Sequence, residues 1–378
     1  MGGITMIKCA FFPVLPTTVP IVRHLIRNST EFMITTLLSF PGSGLIGEDG
    51  SIADYREHIG LDVQVDLDRN SQCWECLLIA DHQDGINIVK NNEYTKQLIV
   101  LALSLHKRVV CSKIFTPEEC ESFKKIAAES HSCFVYLPNK MPVLPVRSAG
   151  PLKRLHSFNI LFGSIVSDPT IMDTCFGCVE QLSKTHHIAA LSTNENPTLC
   201  GMQSLYPILH SSLTEIEKVY AINQYLTDIE RENHPEIIIL HLSEPILPFD
   251  EMVPGGFGMV PFIISKSVPT DLFICGIPFA LYSPEFAKKL SDGLLGQNGY
   301  PVDGISLSNL LIDSTTITNE EHVSVVFVQN ELVESHSDSF NLADSIPVYN
   351  AIRQDEKNQL TLSIEESYLD YSSTHVIP

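Results

Sequence analysis

A chain of 378 residues, 44% hydrophobic and 18% charged, is long enough for two domains with separate cores. Its 24 Lys and Arg against 45 Asp and Glu leave a formal charge of -21. That opposes free binding to nucleic acid or anionic membrane and would suit a basic peptide or protein partner.

No uninterrupted apolar stretch reaches the roughly 18 to 20 residues of a membrane span. The start, MGGITMIKCAFFPVLP, carries little positive charge and reads as domain, not signal peptide. Ten dispersed cysteines do not resemble a small disulfide scaffold, so a reducing cytoplasm is expected.

In chain order, Ile7 to Phe12 is the first predicted strand, Val19 to Leu25 a helix with Pro20 in its first turn, and Phe32 to Leu38 a second strand. Strand, helix, strand at this spacing opens a doubly wound parallel sheet, whose ligand sites lie at the carboxyl ends of the strands. The loop after the second strand, FPGSGLIGEDGS, holds Gly42, Gly44, Gly47 and Gly50. These permit positive φ and close backbone approach, so Gly42 and Gly44 are candidate ligand contacts, with a tight structural turn as the alternative. A GxGxxG fingerprint belongs after the first strand, where Pro13 to Thr18 stands instead. Glu48 and Asp49 oppose a phosphate in the loop.

Cys76 to Ala80 is the next strand and ends in Asp81, with His82 and Asp84 beside it. Asn91 to Leu105 is a helix, and Val109 to Cys111 a short strand. Thr116 with Glu119 is a capping box that starts a helix through Ala128; Cys133 to Leu137 closes the sheet. Residues 1–140 therefore form one domain, and the proline-rich, basic run 141–155 reads as a linker.

The second domain, residues 156–330, opens with Phe158 to Phe162 and the loop GSIVSDPT. In a GxxxxGK[ST] frame Gly163 takes the first position and Thr170 the last, with Ser164 in the loop. Asp168 and Pro169 stand where glycine and lysine should be. Proline removes a backbone donor and Asp168 sets a carboxylate beside any phosphate, so phosphate chemistry is impaired while Pro169 still suits a helix start. His187 to Leu191 is the second strand of this domain. It runs into STNENPTLCGM, which places Glu195 and Gly201 at a strand end, and then into a segment with Pro207 and His210. Leu213 to Ile229 is an amphipathic helix. Ile237 to Leu242 is a buried strand that finishes on His241, Ser243 and Glu244, where a magnesium-binding Asp would complete a nucleotide site. Two departures make NTP hydrolysis unexpected. The loop PFDEMVPGGFGMVP could cover a sheet edge or a cleft. Asp271 to Cys275 and Val323 to Val328 are further strands. The remainder, residues 331–378, is acidic yet retains Phe340, Leu342, Val348, Tyr368 and Tyr371, and reads as an extension that packs on its own chain or on a partner.

The acid-base candidates are Asp81, Glu195, His210 and Glu244, all placed at or after strand ends. No HExxH or GxSxG motif is present. Cys73 with Cys76 and Cys175 with Cys178 would hold zinc only if the pairs converged; small buried residues are the competing reading. Trp74 reads as packing. No metal site is assigned.

The segments SFPGSGLIGEDGS, IADHQD, NILFGS, STNENPTLCGMQSLYP and HPEIIILHLSEPILPFD, in this order, resemble the clostridial peptide maturation system proteins of gene clusters for ribosomally made, modified peptides. That family is similar in turn to a wider two-domain group with a Rossmann-like amino-terminal and a P-loop NTPase-like carboxyl-terminal domain, which includes an N-acyltransferase acting on D-glutamate. The resemblance implies an α/β fold of two doubly wound parallel-sheet domains. It carries Gly163 to the start of the P-loop, Thr170 to its hydroxyl position, and Glu195 with Gly201 to a pocket-edge loop. No nucleophile carries over. The resemblance implies an accessory protein that binds a precursor peptide or modifying enzyme. The alternative is a transferase using acyl-CoA or a nucleotide on a peptide or amino acid. A homodimer is the base-rate expectation for assembly.

Overall fold

The computed structural model describes residues 6–67, 73–82, 88–138, 150–249, 255–313, 324–337 and 346–374. The chain divides into two units, Met1–Lys140 with Glu195–Ser204, and Met141–Asn194 with Leu205–Pro378. The run Glu195–Ser204 thus belongs with the first unit, although its place in the chain put it in the second domain.

In the first unit the strands are β1 (Ile7–Phe12), β2 (Phe32–Leu38), β3 (Val63–Gln64), β4 (Cys76–Ile79), β5 (Arg108–Cys111) and β6 (Phe134–Tyr136). They pair in parallel in the order β3-β2-β1-β4-β5-β6. Strand β4 is buried along its whole length, as a central parallel strand covered on both faces must be. Helices α1 (Val19–Asn28), α2 (Ile88–Ser104) and α3 (Pro117–Glu129) make the crossovers, and Thr116 with Glu119 closes the capping box of α3. Phe12, Leu38, Leu77, Ile79, Ile99 and Phe123 share a core with Trp74, so the single tryptophan is packing. The strand order reverses between β1 and β4, and the carboxyl ends there are where such sheets take ligands.

Two carboxylates fix the chain beyond β2. Asp54 receives Arg23 Nη2 at 2.9 and 3.0 Å on its two oxygens. Asp49 accepts backbone N–H groups from Ser51, Ile59, Gly60 and Leu61 at 2.9, 3.1, 2.7 and 3.1 Å. Burial alone would raise its pKa, but these bonds outweigh it and bring it down to about 2. Asp49 is therefore a loop anchor.

The second unit has β7 (Phe158–Ser164), β8 (Ile188–Ser192), β9 (Ile237–His241), β10 (Leu272–Pro278), β11 (Gly304–Ser308) and the short β12 (Val348–Tyr349). These run in parallel in the order β12-β11-β10-β7-β9-β8, with β7 central and wholly buried. Helix α4 (Pro169–Leu182) follows β7 and α5 (Glu215–Asn233) precedes β9. Ser324–Phe327 pairs antiparallel with Leu310–Asp313, so the predicted strand there stands outside the parallel sheet.

The described part of the acidic carboxyl-terminal run packs on its own chain, in this unit. Val348 and Tyr349 pair with Ile305 and Ser306. Helix α6 (Gln354–Thr374) lies on α4, where buried Lys357 donates to buried Asp173 at 2.6 Å. Tyr368 and Tyr371 set their rings on Phe158 with centroids 5.9 and 5.1 Å away. The sequence signal was the excess of apolar residues in an acidic stretch; Phe340 and Leu342 lie outside the described residues. The end of the predicted linker is also packed. Lys153 N–H donates to Asn223 Oδ1 at 2.8 Å, and Asn223 Nδ2 donates to the Lys153 carbonyl at 2.9 Å.

Candidate functional site

At the carboxyl ends of β4 and β5, the backbone leaves Asp81 and His82 on one strand and Ser112 and Lys113 on its neighbour. Lys113 Nζ donates to Asp81 Oδ1 at 3.0 Å, and the His82 N–H donates to the same oxygen at 2.9 Å. Both members of this ion pair are buried. Asn196 completes the arrangement. Its Oδ1 accepts from the Asp81 N–H at 2.5 Å and from the Ser112 hydroxyl at 2.9 Å, and its Nδ2 donates to the Asp81 carbonyl at 2.9 Å. The amide thereby holds the short helical turn Asn196–Cys200 over the strand ends, with Gly201 ending it at φ 84°. That left-handed geometry suits glycine and gives Gly201 a structural reason to be there.

Glu195, next to this clamp, is 1% exposed. Among the described residues neither carboxylate oxygen has a hydrogen-bond partner of full geometry, although the Ser204 hydroxyl lies close enough to favour the charged form. Burial is the largest influence and Asp81 adds to it, so the carboxyl is pushed up to about 7. His82 is 4% exposed, and both ring nitrogens lack partners among the described residues. Burial, with help from Lys113, lowers its pKa to about 4. Phe12 and Phe40 meet the His82 ring edge to face, with centroids at 6.5 and 4.7 Å.

Beyond Phe40 lies a pocket of about 290 Å³ lined by Leu15, Pro16, Phe40, Gly42, Ile52 and Asn91, among others. Gly42 and Gly44 hold φ of 84° and 77°, and Gly42 reaches the pocket wall. The turn after β1 is closed by its own bonds: Thr18 Oγ1 donates to the Pro13 carbonyl at 2.6 Å and accepts from the Leu15 N–H at 2.9 Å.

The altered loop of the second unit is also internally satisfied. Gly163 lies inside β7 opposite Cys275. A Cβ there would stand 2.8 Å from Ile246 Cγ2 and 3.2 Å from Leu242 Cδ1, so glycine is required for packing. The packing accounts for this glycine whether or not a phosphate loop begins there. Ser164 is likewise a strand residue, whose hydroxyl donates to the Gly276 carbonyl at 2.9 Å. The Ile165 N–H donates to Gly276 O at 3.2 Å, and the Ile165 and Val166 side chains are buried. Asp168 caps α4, its Oδ1 accepting the Thr170 N–H at 2.8 Å. The helix terminus that would hold phosphate carries the chain's own carboxylate. Thr170 Oγ1 is buried without a partner.

His210 and Glu244 belong to the second unit. Glu244 accepts from Thr193 Oγ1 at 2.6 Å, and Thr193 also receives the Ser243 N–H at 2.9 Å. His210 stacks on Tyr206 at 3.8 Å; partial burial lowers its pKa, with Glu244 opposing. His241, fully enclosed beside Ser192 Oγ at 3.0 Å, is brought to about 4 by burial. Asp84 lies outside the described residues.

The cysteine pairs are split between the units. Cys73, in the bend before β4, is exposed while Cys76, in the wholly buried strand, is buried, and Cys175 and Cys178 are both buried in α4. Burial raises Cys178 to about 12 and Cys175 well above its ordinary value. Among the described residues no three His, Cys, Asp or Glu side chains are grouped to hold a metal. No described helix is long and apolar enough to cross a membrane.

Lys113 and Ser112 were not singled out from sequence. Their signal was available: CSK ends the strand next to the one that ends in Asp81.

No protein-family model matches the chain, and neither does any curated protein. Among solved structures it is similar to a DUF1611 family protein from Anabaena variabilis, over 95% of this chain and 99% of that one, at 14% identity and a TM-score of 0.56. That likeness shows the fold, an α/β protein of two parallel-sheet domains. Homoserine dehydrogenase from S. aureus matches 36% of this chain and 34% of its own at 14% identity and TM-score 0.25. A GTPase from Pyrococcus abyssi matches 56% and 97% at 12% identity and TM-score 0.31.

Proposed function

We propose that this chain is a recognition component of ribosomal peptide maturation, binding a precursor peptide or a modifying enzyme and not hydrolysing NTP. The observation that carries the second half is the Asp168 carboxylate bonded to the Thr170 N–H at 2.8 Å, on a helix terminus that would otherwise meet phosphate. Buried Ile165 and Val166 fill the loop that would surround it. The peptide half rests on the order of the sequence segments and on a charge of -21, which draws basic partners. Working in the cytoplasm and assembling as a homodimer belong to the same proposal.

A second reading is favoured by Glu195. A carboxyl held at about 7 beside Asp81 suits proton transfer at neutral pH, and would serve a transferase acting on a peptide or amino acid with an acyl-CoA or nucleotide donor.

Thermal shift and calorimetry with ATP, GTP, acetyl-CoA and basic precursor peptides separate the two. Stabilisation by peptide alone supports recognition. Stabilisation by CoA or nucleotide, with turnover lost in Glu195→Gln, supports the transferase and overturns the first reading.

A further inference from the structure

Glu195 and His82 are buried in the first unit with bonding capacity that the described residues do not use. Glu195 offers two carboxylate oxygens and His82 two ring nitrogens, all without a partner of full geometry, in residues 1% and 4% exposed. Leaving such groups unsatisfied is costly, which marks a place where something else supplies the bonds. Glu195 precedes Asn196 and His82 follows Asp81, and the two bonds between Asn196 and Asp81 at 2.5 and 2.9 Å bring the orphaned groups to one clamp.

The chemistry of the missing partner follows from what is already neutralised. Asp81 is matched by Lys113 at 3.0 Å, which leaves Glu195 as the carboxyl with no cation. Its acceptors call for a donor. The other side of the cluster is aromatic: Phe12 and Phe40 lie edge to face at 4.8 Å and both contact His82, while Tyr94 closes on each at 5.8 and 6.0 Å. Aromatic faces accept a cation and repel an anion. Phe40 also lines the 290 Å³ pocket.

We infer that Glu195, His82 and the Asp81–Lys113 pair, walled by Phe12 and Phe40, form a binding site for a single cationic donor group, an ammonium or guanidinium. The site deepens the peptide-recognition reading, which it needs for the carrier of the cation but not for the cation site itself. Binding ionises Glu195. At neutral pH its carboxyl is about half protonated, since it is held at about 7, so each bound cation displaces about half a proton to solvent.

The test is calorimetry of the full chain at pH 7 with methylguanidinium, ethylammonium and acetate, in two buffers of different ionisation enthalpy. The cations are expected to bind, with a buffer-dependent heat equal to about half a proton released, and acetate is not. Glu195→Gln should weaken cation binding about tenfold or more and remove the buffer dependence. The wild-type proton count tests the site even if that variant fails to fold. Preference for acetate, cation binding without proton release, no cation binding at high millimolar concentration, or equal binding by a folded Glu195→Gln overturns the site. Repeating the titration with a basic precursor peptide separates the two ideas. Cations bound but peptides refused leaves the site and removes the peptide reading; peptide binding insensitive to Glu195→Gln does the reverse.

Discussion

Asn196 and Asp81, 115 positions apart, exchange two hydrogen bonds: Asp81 N–H to Asn196 Oδ1 at 2.5 Å, and Asn196 Nδ2 to the Asp81 carbonyl at 2.9 Å. A carboxamide can mimic a backbone peptide in this way, accepting and donating in one plane. It ties the turn after Glu195 to a strand end far away in the chain. Without it, Glu195 has no fixed place beside Asp81.

Asn196→Ala removes these bonds and the one from the Ser112 hydroxyl at 2.9 Å, leaving buried backbone groups of Asp81 without a side-chain partner. The expected loss is about 2 to 4 kcal/mol in the unfolding of the first unit, read by urea denaturation. Asn196→Asp should recover little, because a carboxylate cannot donate to the Asp81 carbonyl. Wild-type stability in Asn196→Ala would refute the clamp.

The pH dependence has two opposed arms. Glu195 ionises at about 7 in the fold against an ordinary 4.5, so the folded state holds the extra proton between these values and stability falls as pH rises from 4.5 through 7. His82 is lowered from 6.5 to about 4, so the unfolded state holds the extra proton and stability falls as pH drops from 6.5 through 4. Each arm is at most about 3 kcal/mol, at about 1.4 kcal/mol per pKa unit. Between 4.5 and 6.5 they offset. Glu195→Gln should remove the alkaline arm and expose the acid one, and His82→Phe the reverse. A profile of unchanged shape in both variants would show that neither group titrates as its surroundings dictate.

At the altered loop, Pro169→Lys alone should not improve phosphate-ligand binding, because Asp168 still occupies the start of α4. Combined with Asp168→Asn, a gain of up to about tenfold, or ~1.4 kcal/mol, is expected in ATP titrations. The gain stays small because Ile165 and Val166 are buried in the loop. Equal binding by wild type and the double variant would sink the view that these two residues silence the loop.

Asp49 predicts an acid-sensitive loop. Its pKa is about 2 against an ordinary 3.8, so its contribution is complete above 3.8 and lost as pH falls through 2. With solvent screening allowed for, that contribution is about 1 to 2 kcal/mol. Asp49→Asn retains one acceptor oxygen but not the charge. It should lower the midpoint of thermal unfolding and speed proteolysis between residues 49 and 61, measured at neutral pH. Proteolysis at the wild-type rate would count against the anchor.

Local periodicity carried the elements. IKCAFF, CLLI and IIILH are strands because short β-branched or apolar runs bounded by turns fit a sheet buried on both faces. The capping box at Thr116 and Glu119 starts α3 where the spacing placed it. Strand ends also carried Asp81, Glu195, His210 and Glu244 as candidates, since parallel sheets collect ligand groups there. Tertiary structure decided which of them meet. Asp81 and Glu195 share one unit because a side-chain amide at Asn196 draws the turn to β4, an interaction with no periodicity to betray it. Gly163 looks like a loop glycine by spacing, yet it pairs in the sheet opposite Cys275, where Ile246 and Leu242 leave no room for a Cβ. The acidic end of the chain completes the second unit because Lys357 finds Asp173 on α4. Composition fixes how much apolar surface and charge a chain must place; only the packed fold decides which distant residue satisfies each group.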